Sequence, residues 1–145
     1  MEETFAFSFT ATELEARTGI SSVVDQLRDC GLPEARIGEV QIALAEAVNN
    51  VVEHAYADNT PGDVNIRCQL EDEKLSIYIR DAGAPLPKGQ LPAGRAQALD
   101  GPTEELPEGG FGWFLIRELT SDIKYERSDG QNNLLLSFEI QVRPA

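Results

Sequence analysis

Three short stretches carry residue types that could do chemistry at the spacing they have. Glu46 and Asn50 are four residues apart in a run whose apolar residues recur at helical period. Four residues is little more than one helical turn, so the two side chains are surface neighbours. A carboxylate beside a carboxamide oxygen suits a proton acceptor next to an oxygen ligand for Mg2+. Asn is a poor helix-interior residue because its side chain competes for the backbone, yet Asn49 and Asn50 are adjacent. The second stretch is Ile77-Tyr-Ile-Arg-Asp-Ala-Gly-Ala-Pro85. It reads as a strand ending in Asp81, whose carboxylate could accept from an exocyclic amine such as that of adenine. Gly83 would let the backbone come close to a ring. The third is Glu108-Gly-Gly-Phe-Gly-Trp-Phe-Leu-Ile116, where Gly109, Gly110 and Gly112 open a helix and present bare N–H groups that suit phosphate oxygens. Each stretch also has a plain reading. The polar arc Glu46, Asn49, Asn50, Glu53 and His54 resembles any solvated helix face. Asp-Ala-Gly is an ordinary turn, and a glycine cluster is only moderately specific.

The elements that must hold these residues follow from periodicity. Phe5, Phe7 and Phe9 alternate with smaller or polar neighbours over residues 3–10, the pattern of a half-buried strand. Residues 12–29 read as one helix or two short ones broken at Gly19. Pro33 to about Ala57 is the longest periodic segment, with Ile37, Val40, Leu44, Val48, Val51, Val52 and Ala55 on one arc. Val64–Leu70 and Lys74–Arg80 form a hairpin around Glu71-Asp-Glu73, and Gly110 to about Leu119 is a further helix. Asp122–Arg127 and Leu134–Val142 are closing strands around Ser128-Asp-Gly130. Residues 84–109, rich in glycine and proline, are a loop long enough to serve as a functional lid or to be disordered. The order β-α-α-β-β-loop-α-β-β predicts a single α+β domain over 1–145, a two-layer sandwich of a mixed sheet with helices on one face.

Composition narrows the function. The chain has 145 residues, 41% hydrophobic and 26% charged, which suits one globular domain. Its formal net charge of −13 argues against a nucleic-acid or anionic-membrane surface, which needs clustered cations. A nucleotide is still allowed, since backbone amides and a metal ion can hold phosphate locally. No apolar run is long enough to cross a bilayer, and the N-terminus carries acid where a signal peptide would carry Lys or Arg, so a cytoplasmic protein is expected. Cys30 and Cys68 have no metal-ligand spacing and read as buried thiols. A single histidine, His54, rules out a multi-histidine metal site.

In this order the three stretches resemble the GHKL ATP-binding superfamily and, within it, the serine kinases that act as anti-sigma factors. Glu46-Ala-Val-Asn-Asn50-Val-Val-Glu-His-Ala-Tyr56 looks like that family's N box, Asp81-Ala-Gly83 like its G1 box and Gly110-Phe-Gly112 like its G2 box. The resemblance covers nearly the whole chain. It implies a Bergerat-type fold binding Mg·ATP, with Glu46 as the general base toward a partner's serine hydroxyl and Asn50 as the Mg2+ ligand. It further implies Asp81 on the adenine amine with Gly83 beneath the base, phosphate contacts from Gly110 and Gly112, and an ATP lid at about 84–109. The lid has two cations, Lys88 and Arg95, and Arg95 is the candidate for sensing the γ-phosphate or the partner. Ala84-Pro85 departs from the family, where many members have a further glycine. His54 is expected to make a structural polar contact, and Trp113 and Phe114 to pack in the core.

The implied activity is phosphorylation of a STAS-type anti-sigma antagonist, with sequestration of a sigma factor or another regulator, in a homodimer. A non-catalytic GHKL nucleotide-binding module is the alternative, and an intact Glu46 argues against it. A histidine-kinase ATPase half would need another histidine to accept phosphate, and gyrase- or chaperone-type enzymes would need room for a transducer domain.

Overall fold

The computed structural model describes residues 2–56, 61–92 and 110–140. Strand β1 (Glu2–Thr10) leads into α1 (Glu13–Asp29) and α2 (Glu34–Asn50), followed by β2 (Asp63–Glu71) and β3 (Lys74–Asp81). Helix α3 (Gly110–Leu119) precedes the hairpin of β4 (Asp122–Ser128) and β5 (Gln131–Glu139). The five strands form one sheet in the order β1-β2-β3-β5-β4. The expected two layers are present, but every described pairing is antiparallel rather than mixed. The reason is topological. The connection through α3 delivers β4 parallel to β3 but one place away, and its hairpin partner β5 fills the gap, antiparallel to both.

One face of the sheet is apolar because the strands alternate. Val64, Ile66, Cys68 and Leu70 of β2 are buried together with Leu75, Ile77 and Ile79 of β3 and Leu134, Leu136 and Phe138 of β5. Val23 and Leu27 of α1, Val40 and Leu44 of α2, and Ile116 of α3 complete that core. The Thr12 hydroxyl caps α1 by accepting from the Glu15 amide at 3.2 Å, and Glu13 and Glu15 suit the positive end of the helix dipole. Gly19 does not break α1. Its missing side chain makes room for the Phe9 ring of β1, which a Cβ there would overlap. At the start of α2, Arg36 donates from Nε and Nη2 to the Glu139 carbonyl (3.1 and 2.7 Å), tying the helix to the end of β5.

Helix α2 stops being α-helical at Asn50 and continues as a π-helical turn, Val51–Ala55. Such wide turns are rare and frequent at functional sites. The loop between β3 and α3 is described to residue 92 and contains a short 3-10 turn, Pro87–Gly89. Among the described residues no helix is long and apolar enough to cross a membrane.

Candidate functional site

The three stretches converge where the end of α2 meets the C-terminal end of β3 and the start of α3. Along α2 the apolar arc is buried, except for half-buried Val52. Glu46 and Asn50 are half-buried on the other arc, while Asn49, Glu53 and His54 are exposed. The Asn50 side-chain NH2 donates to the Glu46 carbonyl at 3.0 Å. That bond fixes the carboxamide and leaves its oxygen for a ligand outside the helix. A hard oxygen donor one turn from a carboxylate fits Mg2+ held jointly with phosphate oxygens. No group of three His, Cys, Asp or Glu side chains among the described residues could hold a metal by itself.

Glu46 packs against the first turn of α3. Its Oε2 lies 2.6 Å from where a Cβ on Gly112 would sit, so only glycine leaves the carboxylate in this position. Gly112 is itself buried. Trp113 is buried as expected and Phe114 is half-buried.

Asp81 ends β3 and is only 4% exposed. Its Oδ1 accepts from the Gly83 amide (2.9 Å) and from Nδ2 of Asn132 (2.9 Å). Among the described residues both donors to Asp81 meet Oδ1, which leaves Oδ2 as an acceptor for a ligand's N–H. Register explains the pairing, since Asp81 faces Asn132 across the β3–β5 ladder. Gly83 is buried against the π-helical turn, and a Cβ on it would overlap the Ala55 carbonyl. The next amide, that of Ala84, donates to the same carbonyl at 2.7 Å. Gly83 is therefore needed first for this clamp between α2 and the turn after β3.

Sequence reasoning missed several members of the site. The Tyr56 hydroxyl accepts from the Ala82 amide (2.8 Å) and donates to the Asp63 carbonyl (3.1 Å), joining the ends of β2 and β3. Burial pushes the Tyr56 phenol above its ordinary range, against the opposing effect of the Ala82 hydrogen bond. Asn132 is buried, and besides Asp81 its Nδ2 donates to the Ala84 carbonyl at 2.8 Å. Its Oδ1 accepts from the Tyr125 hydroxyl (2.5 Å) and from Nη1 of Arg127 (3.1 Å). Arg127 Nη1 also donates to the Gly83 carbonyl at 2.5 Å. A signal for Asn132 was present, because Asn is depleted in strands and two stand side by side at 132 and 133.

His54 is exposed, and its ring lies 3.8 Å from the Glu53 carboxylate on the same turn. Arg95 and most of the loop expected as a lid, residues 93–109, lie outside the described residues, and Gly110 is the first residue of α3.

Comparison with known proteins identifies the family. The family described as the histidine kinase-like ATPase domain matches residues 9–138. A serine-protein kinase RsbW from Oceanobacillus iheyensis is 35% identical over 117 residues, covering 79% of this chain and 72% of the relative. One from Bacillus cereus is 31% identical over 103 residues, and there the chain spans 64% of the relative's length. Among solved structures, the RsbU and RsbW domains of Rv1364c from Mycobacterium tuberculosis superpose with a TM-score of 0.66 at 19% identity, covering 99% of this chain and 34% of that one. The histidine kinase domain of a blue-light activated kinase from Erythrobacter litoralis gives 0.56 at 17% identity, covering 88% of this chain and 60% of that one. At these identities the two structures speak for the fold alone.

Proposed function

The chain belongs to the histidine kinase-like ATPase domain family, and from that premise we propose that it is a serine-protein kinase of the anti-sigma-factor type. Its substrates would be Mg·ATP and a serine on a STAS-type antagonist protein. The curated relatives' name, serine-protein kinase RsbW, supports the reaction class. The observation that carries the reading is the placement of Glu46. Its carboxylate lies against a glycine at the first turn of α3, one helical turn from Asn50.

In the proposed reaction the partner's serine Oγ attacks the γ-phosphorus of ATP. The Oγ–P bond forms, the bond from phosphorus to the β–γ bridging oxygen breaks, and ADP leaves with that oxygen. Glu46 takes the serine proton. Asp81 Oδ2 accepts from the adenine amine, with Gly83 lying under the base. The amides of Gly110 and Gly112, at the N-terminal end of α3, face the phosphates, where the helix dipole favours negative charge. Asn50 Oδ1 would hold Mg2+, which when bound neutralises phosphate charge. Positioning and charge neutralisation supply most of the catalysis in this class of reaction. Arg95 is the proposed cation of the lid at 84–109, reaching the γ-phosphate or the partner. Phosphorylation would release the antagonist, and the unphosphorylated antagonist would compete with a sigma factor or another sequestered regulator for a homodimer of this chain.

The test is incubation with ATP, Mg2+ and the candidate STAS-domain protein, followed by mapping of the phosphate. Transfer to one serine of the partner is expected. Tight binding of the partner and nucleotide with no transfer would instead make the chain a non-catalytic regulatory module.

A further inference from the structure

Asn132 is a buried amide whose hydrogen-bonding groups reach two kinds of target. Nδ2 donates to Asp81 Oδ1 at 2.9 Å and to the Ala84 carbonyl at 2.8 Å, while Oδ1 accepts from the Tyr125 hydroxyl at 2.5 Å. The Tyr125 oxygen in turn accepts from the Leu86 amide at 3.1 Å. One side chain thus reaches the carboxylate assigned to the base, and with Tyr125 it also holds the backbone of residues 84–86, where the chain leaves β3. A buried network of this kind is cooperative, since each member fixes the dipole direction of the next. Tyr125 and Arg127 both donate to the amide oxygen, so Nδ2 faces Asp81. Asp81 is then met only by donors, from Gly83 and Asn132, and stays an acceptor on both oxygens.

Building on the reading of Asp81 as the amine acceptor, we propose that Asn132, acting with Tyr125, is a positioning residue for base discrimination. It makes the orientation of Asp81 and the path of residues 84–86 a single unit. Selection for a purine bearing a 6-amine then depends on two residues that need not touch the base. A purely structural role would lower stability in the variants while leaving the choice between two nucleotides unchanged.

The experiment measures affinity for ATP and for purine riboside triphosphate, which lacks the 6-amine, by calorimetry on the full chain. The variants are Asn132→Ala, Asn132→Leu and Tyr125→Phe. The wild type is expected to prefer ATP. Both Asn132 variants should lose about tenfold of that preference, the scale of one charge-assisted hydrogen bond. The near-isosteric Leu variant fills the space that Ala leaves empty and covers the case in which the Ala variant is too unstable to assay. Tyr125→Phe leaves the Asn132–Asp81 contact and the Arg127 bond to Asn132 Oδ1 in place, and removes the hydroxyl's bonds to Leu86 and to Asn132. It should lose part of the preference and speed amide exchange at Leu86. A wild type with no preference for ATP overturns the assignment of Asp81 and this inference with it. A wild-type preference that survives in the Asn132 variants, or in Tyr125→Phe, overturns the positioning role alone.

Discussion

Glu46 Oε2 occupies space next to Gly112 that any other residue's Cβ would claim, at 2.6 Å. The contact links the middle of α2 to the first turn of α3. The clashing atom is the far end of a flexible side chain, so Gly112→Ala can be absorbed by swinging the carboxylate away. Ala is favoured over Gly in a helix by roughly 0.5–1 kcal/mol. Gly112→Ala is therefore expected to keep or raise the melting temperature while lowering phosphate transfer by about 10²-fold, the scale of a displaced catalytic group. Thermal unfolding alongside a partner phosphorylation assay checks both halves.

Gly83→Ala should behave in the opposite way. Here a Cβ meets the Ala55 backbone carbonyl, which also accepts from the Ala84 amide and has no rotamer to escape into. Overpacking against backbone costs about 1–3 kcal/mol, so urea unfolding should shift to a lower midpoint. Nucleotide affinity should fall with it, because Asp81 and the end of α2 are held in register through this contact.

The contrast between these glycines shows what a sequence can and cannot carry. The glycines stood out by type, as did Glu46, Asn50 and Asp81, because their spacing maps onto one helix face and one strand end. What each glycine touches depends on which elements meet, and periodicity says nothing about that. Gly19 looked like a helix breaker and proved to be a seat for Phe9. The start of β5 was missed for a local reason. Asp129 (φ 52°) and Gly130 (φ 76°) form a two-residue turn that pairs Ser128 directly with Gln131, so the polar run Gln131-Asn-Asn133 is strand rather than loop. Asn132 consequently escaped notice, although it is the residue that orients Asp81.

Asp81→Asn and Asn50→Ala should separate base binding from metal binding. An amide at position 81 must turn its NH2 either toward the donors on Gly83 and Asn132 or toward the ligand's amine, so one donor always faces another. The loss of ATP affinity should be about 1–3 kcal/mol. Asn50→Ala should weaken binding more with Mg2+ than without it. Calorimetry with and without the metal reads both, and unchanged affinity in the two variants would remove the site assignment.

Stability should fall in alkali for a reason specific to the core. Cys68 has no exposed surface on the inner face of β2, and burial pushes its thiol from 9.0 up to about 12. A folded-state pKa raised above the unfolded one stabilises fully below the unfolded value. That contribution drains away as pH rises from about 9 toward about 12. Cys68→Ala should lose stability at neutral pH through the smaller side chain, yet show a shallower decline across that window. Urea midpoints at intervals from pH 8 to 11 would test it, and parallel slopes for the two proteins would rule Cys68 out as the cause.

Glu46→Gln is the variant that decides whether the chain is a kinase. It keeps the shape of the side chain and a hydrogen-bond acceptor against Gly112, and removes charge and basicity. It also takes a negative charge away from the expected position of the phosphates, so ATP affinity should hold or rise. General-base help typically contributes about 10²–10⁴-fold. Phosphorylation of the partner should accordingly fall by at least about a hundredfold, with binding of the unphosphorylated partner retained. Transfer at the wild-type rate would show that the serine proton goes elsewhere. Loss of ATP binding together with transfer would mean that Glu46 holds the site together and is not its base.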